Sequence, residues 1–173
     1  VKLLALDIST RSTGWFVSKR SCGIIAPPKE PPFAERLALF RVEIEHLVLK
    51  YKPDVVVIED TYYRPGFGNI HTLKTLVKFA GVAIEVCGTH KIPVEILTAT
   101  QARKYCCGPE KLDKRGVFDY FVRKYELNDW TFNKDNDKTD AMSLAWGYRE
   151  IQKAQTKETK ERSSKKKSGQ KKV

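Results

Sequence analysis

Apolar and polar positions along this chain follow two rhythms. Residues 2–8 (KLLALDI) form an apolar run that ends on a carboxylate and read as a buried strand. Residues 13–19 (TGWFVSK) and 22–26 (CGIIA) read as two more strands, close enough in sequence for a meander of short turns. The PPKEPP stretch at 27–32 breaks regular structure. After it the rhythm changes: Phe33, Leu37, Phe40, Ile44, Leu47, Val48 and Tyr51 recur at helical spacing and predict one amphipathic helix. VVVIE at 55–59 is a β-branched run of the kind buried on both faces of a sheet, and it too ends on a carboxylate. A helix is expected from about 70 to 87 with Gly88 as its C-cap, and a fifth strand at 93–97. Helices follow near 100–107 and 111–125, and a last one runs from Asp135 to about Ala154. Three strands, helix, strand, helix, strand and further helices predict an α/β fold: a mixed five-stranded sheet flanked by helices.

Charge divides the chain in two. The formal net charge is +11 over 173 residues. From Lys153 to Val173 there are nine Lys or Arg and two Glu, so +7 sits in the last 21 residues and +4 remains for the body. The expected division is a folded domain over 1–152 and a Lys-rich tail over 153–173, too polar to bury a core and expected to be disordered alone. The four cysteines, Cys22, Cys87, Cys106 and Cys107, have no CxxC spacing and read as free thiols in a reducing compartment. The start of the chain reads as a strand rather than a signal peptide, and no apolar stretch reaches transmembrane length. A cytoplasmic protein is therefore expected, with no membrane partner.

Four acids stand out by position. Asp7 and Glu59 end apolar strands, where an unpaired carboxylate is costly. Asp137 and Asp140 lie three residues apart at the start of the last helix and so share one face. Taken alone, that helical pair reads as caps or dipole partners. Taken together, the four suit hard divalent ions, which bind clustered oxygens, and two such ions can serve the attacking and leaving oxygens of a phosphodiester. Clustered acids without metal repel one another and raise at least one pKa. No spacing rule brings these four together in space.

The set resembles the RuvC-type Holliday-junction resolvases of the ribonuclease H-like superfamily. ALDISTRSTGW (5–15) is similar to the family's first strand-hairpin motif, VVVIED (55–60) to its second and DKTDAMSLAWGY (137–148) to its final D-x-x-D-A-x-x-x-A helix. NIHTLKTLVKFAGVAIEV (69–86) and TATQARKYCCGPEKLDKRGV (98–117) resemble intervening family segments, so the likeness spans about residues 3–150. It implies a ribonuclease H-like nuclease domain over 1–152. Asp7, Glu59, Asp137 and Asp140 would be its catalytic, metal-binding tetrad, holding two Mg²⁺ ions per site with Mn²⁺ as a substitute. It further implies a homodimer that cuts branched DNA, four-way junctions above all. Three features depart from the family pattern: CCGPEKLD lacks the fuller small-residue pattern, the loop between Glu59 and Asn69 is long, and the polylysine tail is additional. They suit structure-selective phage or viral members, acting in the host cytoplasm.

The DNA contacts are expected in two places. Tyr62, Tyr63 and Arg64 stand in the glycine- and proline-containing loop after Glu59, where aromatics beside a cation can stack on unpaired bases; the resemblance places a wedge at Tyr62. Arg103, Lys104, Lys111 and Lys114 form a basic segment suited to phosphates, a face that charge alone does not distinguish from a solvated one. Three rivals stand beside the DNA resolvase: an RNA-processing nuclease like the YqgF relatives, an actin-like nucleotide-binding protein, and a DNA-binding module with a dead site. The chain is short for the two phosphate loops that the second would need.

Overall fold

The computed structural model describes residues 1–61, 69–107 and 112–169, with side chains as far as Lys160. The strands are β1 (Leu3–Asp7), β2 (Thr13–Ser18), β3 (Ser21–Ile25), β4 (Val55–Glu59) and β5 (Val94–Leu97). The helices are α1 (Phe33–Tyr51), α2 (Ile70–Thr89), α3 (Ala99–Cys107), α4 (Lys114–Tyr125) and α5 (Phe132–Gly169). The sheet order is β3-β2-β1-β4-β5. The β1–β2–β3 meander is antiparallel, whereas β1, β4 and β5 run parallel. The mixed five-stranded sheet expected from the sequence is thus present, and its parallel half is joined by helical crossovers.

Strand periodicity decides what each face of the sheet meets. Leu4, Leu6, Val56 and Ile58 pack with Phe40, Ile44 and Leu47 of α1 and with Phe79, Ala80 and Ala83 of α2. The alternate positions Leu3, Ala5, Val55 and Val57 pack with Ala102 of α3, Val117 and Phe121 of α4, and Ala141, Met142, Leu144 and Ala145 of α5. Because side chains alternate along a strand, Asp7 continues the Leu3–Ala5 row and Glu59 the Val55–Val57 row. Both acids therefore belong to the face that α5 covers.

Two glycines let α5 approach closely. A Cβ on Gly14 would overlap the backbone carbonyl of Asp137, so the absence of a side chain there lets α5 lie directly on β2. Gly14 is thus a strand residue of close approach. A Cβ on Gly147 would stand 2.6 Å from the Ala102 Cα and hold α3 away from α5.

Helix boundaries depart from the sequence reading at three places. α2 passes through Gly88 and is capped at His90, and the left-handed residue beyond is Lys91 (φ 56°), so Gly88 is not the C-cap. α5 starts at Phe132, earlier than expected, with Asp135 accepting a hydrogen bond from the Thr131 N–H at 2.8 Å. The same helix runs on to Gly169 instead of ending near residue 154. Residues 152–160 are exposed, so no core packing holds that part of the helix. Its Lys, Gln, Glu and Arg residues favour helix, and no Gly or Pro interrupts the chain before Gly169. All four cysteines are free thiols, and among the described residues no helix is long and apolar enough to cross a membrane.

Candidate active site

The carboxylates meet where the C-terminal ends of β1 and β4 run under α5. Leu6 is in register with Ile58, which leaves Asp7 and Glu59 as the next residues on adjacent parallel strands. α5 brings Asp137 and Asp140 from above, one helical turn apart. One carboxylate oxygen each from Asp7, Asp137 and Asp140 lies within 4.8 Å of the others. Glu59 flanks this trio, close enough to Asp7 for each to perturb the other. Asp137 and Asp140 sit beyond the first turn of α5, where Asp135 takes the N-terminal role, so capping does not account for them.

The crowding shows in the proton affinities. Burial, then the charges of Glu59 and Asp140, hold the Asp7 carboxyl well above the usual carboxylate range. Glu59 is raised by burial and then by Asp140, and Asp140 is raised chiefly by burial. Two cations offset part of this. Lys114, at the start of α4, places its Nζ 2.8 Å from Asp140 Oδ2 and 3.2 Å from Asp137 Oδ1. Burial pulls the Lys114 ammonium down, but the hydrogen bond to Asp140 and the charges of Asp140, Asp137 and Asp7 outweigh it and leave it raised. Arg103, on α3, lies 3.8 Å from Asp140 Oδ1.

Asp140 Oδ1 is buried without a hydrogen-bond partner. Such an atom is expensive unless something else satisfies it. With every carboxylate ionised, four acids face two cations and a charge deficit of two remains. An all-oxygen donor set with an orphaned oxygen and excess negative charge fits a hard divalent cation.

The other expected contacts separate into groups. Arg103 and Lys114 join the acids. Lys104 lies on the exposed side of α3, over its neighbouring Tyr105 ring at 5.7 Å, and does not reach them. Tyr62, Tyr63, Arg64 and Lys111 lie outside the described residues. Lys138, between the two helical aspartates, is half-buried, bonded to Asp135 at 2.7 Å and placed over the Trp130 ring at 4.8 Å.

Ser12 is a site residue that nothing in the local pattern singles out. Its hydroxyl donates to Asp137 Oδ2 at 2.5 Å, while Thr13 fastens the turn, through Ser9. The available signal was Gly14: the glycine that admits the Asp137 backbone also brings the turn before it to that side chain.

Comparison with known proteins agrees with this arrangement. The family model described as crossover junction endodeoxyribonuclease RuvC matches residues 8–148. A Corynebacterium glutamicum protein of that name is 28% identical over 140 residues, which cover 81% of this chain and 61% of its own length. A Lawsonia intracellularis protein of the same name is 27% identical over 154 residues, covering 84% of this chain and 88% of its own. Among solved structures, "T. thermophilus RuvC in complex with Holliday junction substrate" superposes with a TM-score of 0.72 at 11% identity, over 89% of this chain and 96% of that one. The yeast mitochondrial Holliday junction resolvase Ydc2 gives 0.60 at 12% identity, over 85% and 77%. These two structures establish the fold as ribonuclease H-like. With the family model spanning most of its length, the chain belongs to the RuvC family of crossover junction endodeoxyribonucleases.

Proposed function

We propose that the protein is a divalent-metal-dependent endonuclease that resolves four-way DNA junctions, and other branched DNA, by paired nicks. The observation that carries this reading is the meeting of Asp7, Asp137 and Asp140 within 4.8 Å of one another beside Glu59. Asp7, Glu59, Asp137 and Asp140 would hold Mg²⁺, two ions per site with Mn²⁺ as a substitute. Bound there, the metal supplies an activated water and charge stabilisation at the leaving 3′ oxygen.

The chain's own residues do the rest. Burial and mutual repulsion raise the proton affinity of Asp7, Glu59 and Asp140, so a cation held among them would offset a charge that the protein alone keeps costly. Arg103, whose guanidinium lies 3.8 Å from Asp140 Oδ1, would present a cation to a phosphate at the site. Lys114 bridges Asp137 and Asp140 and puts a second cation at the same mouth. Attack of water in line with the 3′ oxygen leaves 5′-phosphate and 3′-hydroxyl ends, which ligation can reseal. Tyr62, Tyr63 and Arg64 would stack on bases opened at the crossover, while Lys104 and Lys111 would take phosphates. Two symmetric nicks need two sites, hence a homodimer, acting in the cytoplasm.

Labelled four-way, three-way, flap and linear DNAs incubated with the protein in Mg²⁺ test this reading. Paired symmetric nicks on the four-way junction are expected. Preferential cutting of RNA hairpins, or none of any substrate, would overturn it.

A further inference from the structure

Two thiols that the acidic site does not use stand side by side at the end of α3. Cys106 and Cys107 are adjacent in sequence, and their Sγ atoms lie 2.7 Å apart. That is only about 0.7 Å more than the length of a disulfide bond, about 2.05 Å. Cys106 is buried, and its sulfur also lies 3.7 Å from the Arg103 carbonyl oxygen. Cys107 is half-buried, so a small solute can reach it. The other two thiols stand apart from this pair. Cys22 meets the Lys19 carbonyl at 3.8 Å, and Cys87 is buried in the layer beneath α1 and α2.

The surroundings of the pair treat its two members differently. The thiolate, not the thiol, attacks electrophiles. The hydrogen bond with Cys106 holds the Cys107 thiol below its ordinary range, and the charges of Lys124 and Arg103 add to this against partial burial. The same bond, and then burial, push the Cys106 thiol up. Lys124 is fixed in place on α4, with its Nζ donating to the Tyr120 hydroxyl at 2.8 Å and lying 4.1 Å over the Trp146 ring. Burial pushes the Cys22 thiol up, and pushes Cys87 up to about 11. One thiol of the four is therefore set to react, and a second sulfur is already in contact with it.

We propose that Cys106 and Cys107 are a modification site, a dithiol that a hydroperoxide closes to a vicinal disulfide, drawing Arg103 away from the acids. The Cys107 thiolate attacks one peroxide oxygen, the O–O bond breaks and hydroxide leaves, so that sulfur is oxidised to a sulfenic acid and the peroxide is reduced. The Cys106 sulfur then attacks the Cys107 sulfur. Its thiol proton departs with the displaced hydroxyl as water, and the S–S bond remains. Consecutive Cα atoms are about 3.8 Å apart, shorter than the roughly 4.4–6.8 Å of ordinary disulfides. Closing the ring therefore distorts the last turn of α3, and it takes the Cys106 S–H from the Arg103 carbonyl. Arg103 belongs to that turn and lies 3.8 Å from Asp140 Oδ1, so it moves with it. Strain also makes such a bond easy to reduce, which suits a reversible pair rather than a structural bridge. Only the effect on cleavage rests on the nuclease reading above.

The test treats the full-length protein with hydrogen peroxide and follows it by peptide mass and by junction cleavage. Trypsin releases both thiols in one peptide, Tyr105–Lys111, which should become lighter by two hydrogens and regain them with dithiothreitol. Cys107 should be consumed at least about tenfold faster than Cys22. Cys107→Ser should abolish the fast reaction. Cys106→Ala should leave a sulfenic acid on Cys107 that dimedone traps and that excess peroxide carries on to the irreversible sulfinic acid. Cleavage of four-way junctions in Mg²⁺ by the oxidised parent should fall about fivefold or more and return with dithiothreitol, whereas C107S should cut at the parent rate before and after peroxide. A peptide that keeps both thiols, or Cys22 reacting as fast as Cys107, overturns the site. Ring closure with cleavage unchanged overturns the link through Arg103. If the untreated parent nicks no junction, the nuclease reading fails, and the peptide mass still decides whether the dithiol closes.

Discussion

The two faces of the sheet are built from the same two strands and do opposite work. Leu4, Leu6, Val56 and Ile58 look toward α1 and α2 into an apolar layer that includes Phe40, Ile44, Phe79 and Val86. One residue out of phase, the rows of Leu3 and Val55 look toward α5 and end on Asp7 and Glu59. On the first face every added contact stabilises. On the second, burial opposes the charges it collects, and that opposition prepares the site for a cation. A fold can hold such a face because the other one is apolar throughout. Substitutions on the two faces should therefore separate stability from activity.

The largest effect is expected from the acids. Asp7→Asn or Asp140→Asn should lower junction cleavage in Mg²⁺ by about 10³-fold or more, the scale of losing a central charge-stabilising group. Asp7→Asn should also melt at or above the parent temperature without metal, because it removes a mutually repelling charge. Single-turnover cleavage and thermal melts on the same samples check both halves. Retained cutting by either variant would sink the assignment of the tetrad. The mirror-image variant is Phe40→Ala. Phe40 is fully buried and meets Phe79 edge-on at 5.0 Å. Its loss should cost about 3–5 kcal/mol in denaturant unfolding. The fraction still folded should cut junctions at the parent rate, since Phe40 packs on the face opposite the acids.

A smaller effect follows from the raised acids. Asp7, Glu59 and Asp140 all hold protons more tightly in the folded metal-free protein than carboxyls ordinarily do. Their folded values lie above the unfolded ones. The stability they contribute is therefore fully present below the ordinary carboxylate range and is lost as pH climbs through their folded values. Metal-free melts should accordingly fall with rising pH across that window. Saturating Mg²⁺ should reverse the trend, adding about 2.7 kcal/mol at a hundred times its dissociation constant. Asp7→Asn should flatten both curves. A metal-free protein whose stability rises across the same window would contradict the crowding of charge at the site.

The contrast between the faces also explains what could be read beforehand. Strand alternation and the runs ending at Asp7 and Glu59 are local patterns, and they placed both acids before any contact was known. The shared face of Asp137 and Asp140 followed from helical spacing alone. What local pattern could not supply was the approach of α5 to β2, which depends on the missing side chain of Gly14 against a carbonyl more than a hundred residues away. The end of α5 was missed for a different reason. A stretch of Lys, Glu and Gln has helix propensity but no apolar stripe, so periodicity has nothing to register beyond Ile151. Lys104 and Arg103 are neighbours in the basic pair, yet only Arg103 lies on the side of α3 that meets Asp140.

The smallest expected effect is also the one that tests how finely the acidic face is arranged. Asp137 is held at both oxygens: Ser12 donates to Oδ2 at 2.5 Å and Lys114 to Oδ1 at 3.2 Å. A carboxylate oriented by such a neighbour binds metal better than one free to rotate, and removing the neighbour typically costs 10- to 100-fold in metal affinity. Ser12→Ala should therefore raise the Mn²⁺ dissociation constant about tenfold, measured by titration calorimetry. The melting temperature without metal should hardly change, because Ser12 is not part of the core. Cleavage should recover at high Mg²⁺, which separates an orienting hydroxyl from a ligand whose loss no concentration restores. Ser12→Thr keeps the hydroxyl and should restore most of the affinity. If Ala and Thr behave alike, the hydroxyl has no part in orienting Asp137, and the turn before Gly14 serves only to let α5 come down onto the sheet.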